Sequence, residues 1–143
     1  KEIDVSGIHD VVNHLFKRKQ ISTIYLLISY GYNYLDNFMI SEAILNNVYE
    51  MIDVLLLLGS DINEVGINDM TPLSIACQKG EYTLVKYLIE KGAAINMIDK
   101  RNRRAIDYAI ENNRQDIVEL IDSYNSEKSE AESDLDAITR KLV

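Results

Sequence analysis

The residues with the most reactive side chains in this chain are one cysteine and two histidines. Cys77 could act as a nucleophile only with a histidine nearby, and nothing in the sequence indicates that His9 or His14 is placed to assist it. The histidines lie five positions apart, with no cysteine or acidic cluster beside them, which does not favour a metal site. We therefore interpret Cys77 as structural. A single cysteine excludes an internal disulfide and suits a reducing compartment.

A basic cluster indicates a second kind of chemistry, the binding of charged partners. Lys100, Arg101, Arg103 and Arg104 fall within five positions of a chain whose net charge is −8. Such a cluster concentrates positive potential and would attract an acidic segment of another protein. A solvated turn without a partner is the alternative. Nucleic acid is disfavoured, because no aromatic residues are interleaved with the cations and the surrounding acids would repel phosphate.

The composition is that of a soluble domain without a recognisable catalytic site. The chain has 143 residues, of which 47% are hydrophobic and 27% charged, and this suffices for one packed domain. We find no glycine-rich phosphate loop, no metal-ligand cluster and no apolar run of transmembrane length. Because the first residue is Lys1, we expect the chain to be cut from a longer protein. These features predict a non-catalytic protein without a cofactor.

The clearest structural elements lie within residues 68–96. Thr71 and Pro72 should open a helix, because the threonine hydroxyl can accept from free amides and proline is tolerated at a first helical position. Gly80 should end this helix. A second helix should end at Gly92, and its apolar face consists of Leu84, Val85, Leu88 and Ile89.

The same residue types return at intervals of 33 positions. The repeated small residue and the repeated helix end are Ala43, Ala76 and Ala109, and Asn47, Gly80 and Asn113, respectively. Asparagine can replace glycine at a helix end because it tolerates positive φ. A weaker first copy should have helices at 10–16 and 23–29, with Asp10 as a cap. It ends at Gly31, only 28 residues before Gly59, so about five residues are missing between the first two copies.

Residues 10–123 resemble the ankyrin repeat. The resemblance rests on the order Thr-Pro-Leu, Ala, Gly, Leu-Ile, Gly-Ala and Asn. The resemblance implies an all-α fold, an ankyrin-repeat solenoid of about four stacked helix-turn-helix repeats with β-turn fingers, the first finger being truncated. The implied divisions are a degenerate N-terminal repeat or cap at 1–35, a repeat with a shortened finger at 36–63, the best-matching repeat at 64–96, a last repeat or C-terminal cap at 97–124, and an acidic linker with a possible short helix at 125–143.

Ankyrin-like proteins bind partners chiefly through fingertips and the exposed positions of the first helix of each repeat. The resemblance therefore implies a partner-binding surface in the third and fourth copies, including residues 100–104, which we call the basic finger. In that last copy, Arg104 and Ala105 replace the usual Thr and Pro of the helix start. The implied binding residues are Ile67, Asn68, Met70, Gln78, Lys79, Lys100, Arg101, Arg103, Arg104, Glu111 and Asn112.

A secondary patch of apolar and aromatic residues departs from the family pattern. Leu57 and Leu58 stand where the third copy has a glutamate and a lysine, at positions that face solvent in the family. We expect both leucines to be covered, either by neighbouring repeats or by another segment or protein. Tyr32 and Tyr34 either fill the gap left by the missing finger residues or form an exposed aromatic patch that binds other proteins.

The repeat pattern stops after Ser123. Residues 125–136 are rich in serine and glutamate, and we interpret them as a linker. Leu135, Ile138 and Leu142 could form one face of a short helix that packs back on the repeats or joins a later part of a longer protein. The acids of this tail could also fold back over the basic finger when no partner is bound.

Repeat stacks provide long, rigid surfaces for holding other proteins. We therefore predict a non-catalytic protein-protein interaction module of the scaffold or adaptor kind, located in the cytoplasm or nucleus and not in a membrane. Its partner would be another protein, possessing an acidic segment if the basic finger binds it, and the chain itself would be a monomer or weak dimer. The alternatives are a regulatory ankyrin region of a multidomain enzyme and a structural stack that dimerises through its outer leucines.

Overall fold

The computed structural model describes residues 7–31 and 39–142, and these ranges form four successive helix pairs. We call the first helix of each pair inner and the second outer. The pairs are α1 (Ile8–Lys17) with α2 (Ile21–Ser29), α3 (Met39–Leu45) with α4 (Glu50–Leu57), α5 (Pro72–Lys79) with α6 (Tyr82–Glu90), and α7 (Ala105–Glu111) with α8 (Gln115–Lys141). Successive inner helices pack against one another, which confirms the all-α stacked solenoid.

One continuous apolar core runs through the stack. Every pair contributes fully buried side chains, because neither helix of a pair can cover its own apolar face. Ala43, Ala76 and Ala109 are all completely buried, and Cys77 lies in the same core. A small residue at this repeated position allows neighbouring helices to approach closely.

The helix ends are formed by local hydrogen bonds. The Thr71 hydroxyl accepts from the backbone N–H of Ser74 at 3.2 Å, and Pro72 is the first helical residue, as predicted. Asn47 and Asn113 adopt φ values of 56° and 55°, which confirms their left-handed conformation at helix ends. In the last pair, the backbone N–H of Arg104 donates to Asp107 Oδ2 at 2.7 Å. This contact starts α7 without the usual Thr-Pro sequence.

The N-terminal helices begin earlier than the sequence indicated. α1 starts at Ile8, so Asp10 lies in its first turn and does not cap it, and α2 starts at Ile21 rather than at residue 23. The predictions for Tyr32, Tyr34 and the truncated first finger concern residues outside the described ranges. Within those ranges, no helix is both long and apolar enough to span a membrane.

Helix α8 corrects the prediction of a linker at 125–136. It is a single helix of 27 residues, and every side chain from Ser126 to Leu142 is exposed. The acidic, serine-rich composition correctly indicates a lack of burial, but no glycine or proline interrupts the segment, and half of its residues are good helix formers. The tail therefore projects from the stack instead of packing back on it.

Candidate functional site

The basic finger is organised by a buried carboxylate. Asp99 is 7% exposed and accepts hydrogen bonds from the backbone N–H groups of Arg101 at 2.8 Å and Arg103 at 3.0 Å, and from the Tyr108 hydroxyl. Its own backbone N–H donates to the carbonyl of Arg103 at 3.0 Å, which closes the turn. The conformation of the finger is therefore fixed by contacts within the chain.

These contacts also set the charge of the turn. Burial acts to raise the pKa of the Asp99 carboxyl, but the hydrogen bonds from Tyr108 and from the backbone of Arg103 and Arg101 outweigh it and lower that pKa. Burial and the Asp99 carboxylate raise the pKa of Tyr108. Asp99 is consequently ionised at neutral pH, and its negative charge attracts the guanidinium groups of Arg101 and Arg103.

The four cations of the basic finger are not equivalent. The Arg103 guanidinium forms an ion pair with Glu111 and lies 5.4 Å from the centre of the Tyr108 ring, and Arg104 Nε lies 3.7 Å from an oxygen of Asp107. Lys100 and Arg101 are exposed, and in the described part of the chain neither side-chain charge lies within 4 Å of a carboxylate oxygen, although the Asp99 carboxylate, which accepts from the Arg101 backbone, also attracts the Arg101 guanidinium. The positive potential is therefore concentrated on these two residues.

The preceding finger adjoins the basic finger. The backbone N–H of Lys100 donates to the carbonyl of Asn68 at 3.1 Å, so the two fingertips are joined by a main-chain hydrogen bond. Asn68 is exposed with φ of 63°, whereas Met70 is half-buried against the core. The structure does not describe the side chain of Ile67. Of these three predicted residues, Asn68 is thus the one shown to lie at the joined fingertips.

The predicted inner-helix residues form contacts between repeats. Lys79 Nζ donates to the carbonyl of Ile44 at 3.0 Å and to Asn47 Oδ1 at 2.5 Å, at the end of the preceding inner helix. Asn112, 33 positions later, donates through Nδ2 to the carbonyl of Gln78 at 2.5 Å. Lys79 and Asn112 therefore bind backbone carbonyls at the end of the neighbouring inner helix. Among the polar residues predicted here, Gln78 keeps its side chain exposed.

Neighbouring repeats leave Leu57 uncovered and cover Leu58 only in part, so the expectation of burial within the repeats is wrong for Leu57, while cover by another protein stays a prediction. Leu57 is 87% exposed and Leu58 38%. Successive helical positions point about 100° apart, so the two side chains cannot both face the same neighbouring helix. They border an apolar groove of about 250 Å³ between α2 and α4, whose other lining residues are Tyr25, Ile28, Ser29 and Val54.

Cys77 has the properties of a core residue. It is completely buried, and burial raises the pKa of its thiol to about 12, so the thiol stays protonated at neutral pH. Among the described residues, no three histidine, cysteine, aspartate or glutamate side chains are grouped to hold a metal ion.

Sequence reasoning missed two residues that shape this surface, Asp99 and Tyr108. A local signal for Asp99 existed, because an aspartate side chain often accepts from backbone amides two or more residues later in a turn. Tyr108 carried no such signal, since its hydroxyl reaches Asp99 only when α7 packs beneath the finger. Nothing in the sequence indicated that Lys79 binds the end of the preceding inner helix, because its acceptors lie more than 30 positions away.

Comparison with known proteins gives consistent results. A family model described as ankyrin repeats (3 copies) matches residues 40–131. The chain is 38% identical over 82 residues to a putative ankyrin repeat protein of Rickettsia felis, covering 55% of this chain and 19% of that protein. It is 37% identical over 65 residues to a poly [ADP-ribose] polymerase tankyrase of Caenorhabditis elegans, covering 43% of this chain and 3% of that protein. A putative ankyrin repeat protein of fowlpox virus is 34% identical over 61 residues, with 43% and 32% covered. The chain thus spans about a third or less of these relatives.

Proposed function

Because the chain belongs to the ankyrin-repeat family, we propose that it binds a partner protein through the surface formed by its joined fingertips and inner helices. Members of this family are in general protein-interaction modules. The finer proposal is that the contact centres on Lys100 and Arg101, with Asn68 and Gln78 beside them, and that the partner presents an acidic segment. The single buried cysteine suits a reducing compartment such as the cytoplasm or nucleus.

The observation that supports this proposal best is the internal support of the fingertips. Asp99 fixes the turn, and the Lys100–Asn68 hydrogen bond joins the two fingers. A preformed surface loses little conformational freedom on binding, so more of the contact energy appears as affinity. Arg103 and Arg104 already form ion pairs within the chain, whereas the exposed side-chain charges of Lys100 and Arg101 form none in the described residues and are the better placed to contact a partner.

The electrostatics favour an acidic partner. The chain as a whole carries a net charge of −8, so an acidic segment is repelled by most of the surface and attracted at the fingertips. Such an arrangement gives orientation and a faster association rate more than raw affinity. The proposal therefore predicts binding that weakens as salt screens charges beyond the Debye length of about 10 Å at 0.1 M.

Affinity capture with charge-reversed variants tests the proposal. The test variant is Lys100→Glu with Arg101→Glu, and the matched control is Lys17→Glu with Arg18→Glu, which makes the same change in net charge on exposed residues at the end of α1. Proteins captured from lysate by the parent and the control, but lost by the test variant, are partners of the fingertips. A labelled glutamate-rich peptide provides a defined probe, and its binding should follow the same order. Capture indifferent to the test variant and to salt contradicts the proposal.

An alternative role is that this module is the regulatory or recruiting region of a larger enzyme; one relative is named as an enzyme, a tankyrase, but the match covers only 3% of that protein. The module would still hold another protein through the same surface, but the consequence would be a change in the activity of a catalytic domain elsewhere in the protein. The full-length sequence decides between an enzyme and a non-catalytic scaffold. Retention of partner binding by the isolated chain is expected in both cases.

A further inference from the structure

The second half of α8 extends beyond the repeats as an unpartnered helix. From Ser126 to Lys141 it continues for about 24 Å, with every side chain exposed. Isolated helices of this length are marginal in water, because helical stability in proteins comes mainly from packing of an apolar face. The projecting segment, which we call the α8 tail, carries such a face.

This face repeats with the spacing of a coiled coil. Its residues are alternately four and three positions apart, which is a heptad pattern that continues without interruption from the packed half of α8. The successive positions are Ile117, Ile121, Tyr124, Lys128, Ala131, Leu135, Ile138 and Leu142. The first two are fully buried against the repeats, whereas Leu135, Ile138 and Leu142 are 63%, 56% and 83% exposed.

We propose that the α8 tail is a dimerisation helix that pairs in antiparallel orientation with the α8 tail of a second copy of this chain. In the register with the most apolar layers, Leu135 packs against Ile138 of the second copy, and Ala131 against Leu142 of the second copy. Two-fold symmetry repeats both layers, which gives four apolar layers over residues 131–142. Lys128 is not a member of these four layers.

The distribution of charge favours the antiparallel arrangement. The acids of the α8 tail lie before position 137 and the bases Arg140 and Lys141 after it, so antiparallel copies place acids opposite bases. Asp134 and Lys141 lie seven positions apart, at the same edge of the apolar seam in successive heptads. In an antiparallel pair, residues at this edge of one helix lie beside residues at the same edge of the other helix. The register therefore brings Asp134 of each copy beside Lys141 of the other.

A parallel pair would be opposed by like charges. It would place Lys128 against Lys128 in the seam and Glu127 beside Glu132 on the flank. It would also hold two repeat stacks side by side at the same end, although each chain has a net charge of −8. The antiparallel pair separates the stacks to opposite ends and leaves their fingertips accessible.

The small overlap predicts a weak, reversible dimer. Twelve paired residues give a seam of roughly 18 Å, which is short for an interface, since stable ones bury about 1,200 Å² or more. Association should therefore depend on concentration over an accessible range. It is independent of partner binding at the basic finger, which lies on other residues.

Sedimentation equilibrium of the full chain over a roughly hundredfold dilution series tests the dimer. The apparent mass should rise from that of one chain towards twice that value. Leu135→Glu with Ile138→Glu should remain monomeric at every concentration. The matched control is Ser126→Glu with Ser133→Glu, which adds the same charges on the opposite face of the helix, and it should still associate. A parent chain that stays monomeric throughout, or a seam variant that associates like the parent, overturns the proposal.

A charge swap tests the orientation. Asp134→Lys alone and Lys141→Glu alone should each weaken association about fivefold or more, because each replaces two attractive contacts by repulsive ones. The combined variant should recover the parent value. Failure of the combined variant to recover would overturn the antiparallel register. Loss of association in Leu57→Glu with Leu58→Glu, but not in the seam variant, would place the interface on the groove between α2 and α4 and overturn the role of the α8 tail.

Discussion

Asp99 determines the shape of the basic finger through the hydrogen bonds that its carboxylate accepts. Three donors converge on it, from the backbone of Arg101 and Arg103 and from the Tyr108 hydroxyl. Its pKa is lowered because hydrogen bonding to the charged form outweighs the effect of burial. The free energy of unfolding should therefore depend on the ionisation of this residue.

Replacing Asp99 by Asn should lower the free energy of unfolding by about 1 to 3 kcal/mol at neutral pH, because buried donors lose a charged acceptor. A group whose pKa is lower in the folded state stabilises the fold above its ordinary pKa, here 3.8, and this contribution disappears as the pH falls through the folded value. The difference between parent and variant should thus be constant near pH 7 and shrink below about pH 4.

Urea denaturation of parent and variant at several pH values measures this difference. Asp122→Asn, which alters an exposed carboxylate on α8, is the matched control and should change little. A variant difference that stayed the same down to pH 2 would mean that Asp99 does not act through its charge.

Ala76 tests the packing of the inner helices at the same scale. It is completely buried where α5 lies between its neighbours, so the extra volume of Ala76→Leu should destabilise the fold by about 1 to 3 kcal/mol through overpacking. Ala137→Leu makes the same change at an exposed position of the α8 tail outside the apolar seam and should leave the denaturation midpoint nearly unchanged. Equal midpoints for the two variants would contradict the close packing at Ala76.

At the scale of helices, Lys79 and Asn112 show that each repeat helps to end the inner helix before it. Lys79 binds the carbonyl of Ile44, and Asn112 that of Gln78. Arg114 donates to the carbonyl of Gly80, and a Cβ at position 80 would come within 2.7 Å of the Arg114 Nη1 atom. Glycine is favoured at position 80 by its φ of 73°, whereas the Arg114 side chain is flexible and could move away from a Cβ at this position.

A substitution of Lys79 shows whether this residue stabilises the fold or contacts the partner. Lys79→Met keeps most of the aliphatic chain but loses both hydrogen bonds, and we expect the free energy of unfolding to fall by about 0.5 to 1.5 kcal/mol. Lys86→Met, which breaks an exposed pair with Glu90, should cost less than about 1 kcal/mol. Thermal denaturation and binding of the glutamate-rich peptide should both be measured. If Lys79→Met reduced peptide binding without reducing stability, its main role would be contact with the partner.

At the scale of the whole molecule, the repeats and the α8 tail form parts with separate roles. Among the described residues, ending the chain after Ser126 removes only exposed side chains, so the free energy of unfolding should change by less than about 1 kcal/mol, while self-association should be lost. Binding of the glutamate-rich peptide should be unchanged. In the described structure, no acid of the tail forms an ion pair with the basic finger.

Peptide titrations and sedimentation of the shortened chain check these expectations. The Leu135→Glu, Ile138→Glu variant is the appropriate control, because it loses association but keeps the acids of the tail. Tighter peptide binding in the shortened chain, but not in this control, would show that the tail acids compete for the basic finger in cis.

The sequence by itself determined the repeat, its helix pairs and the ends of the inner helices α3, α5 and α7, because these depend on interactions between near neighbours and recur every 33 residues; the starts of α1 and α2 in the degenerate first copy were predicted less well. Thr71, Gly80 and the repeated alanines could be interpreted in this way, and so could Asn47 and Asn113 in place of glycine. The same reasoning failed for the α8 tail, since a composition that resists burial does not by itself prevent a helix.

Only the tertiary structure decided which polar and apolar side chains remain available for binding. Three pairs of residues meet because helices and turns pack in three dimensions: Arg103 with Glu111, Asp99 with Tyr108, and Lys79 with Ile44. Nothing in the spacing of these residues along the sequence indicated the contacts. The exposure of Leu57 likewise depends on the direction in which its helix faces. Of the four cations in this part of the sequence, Arg103 and Arg104 form ion pairs with acids of α7, whereas the side-chain charges of Lys100 and Arg101 form none in the described part of the chain.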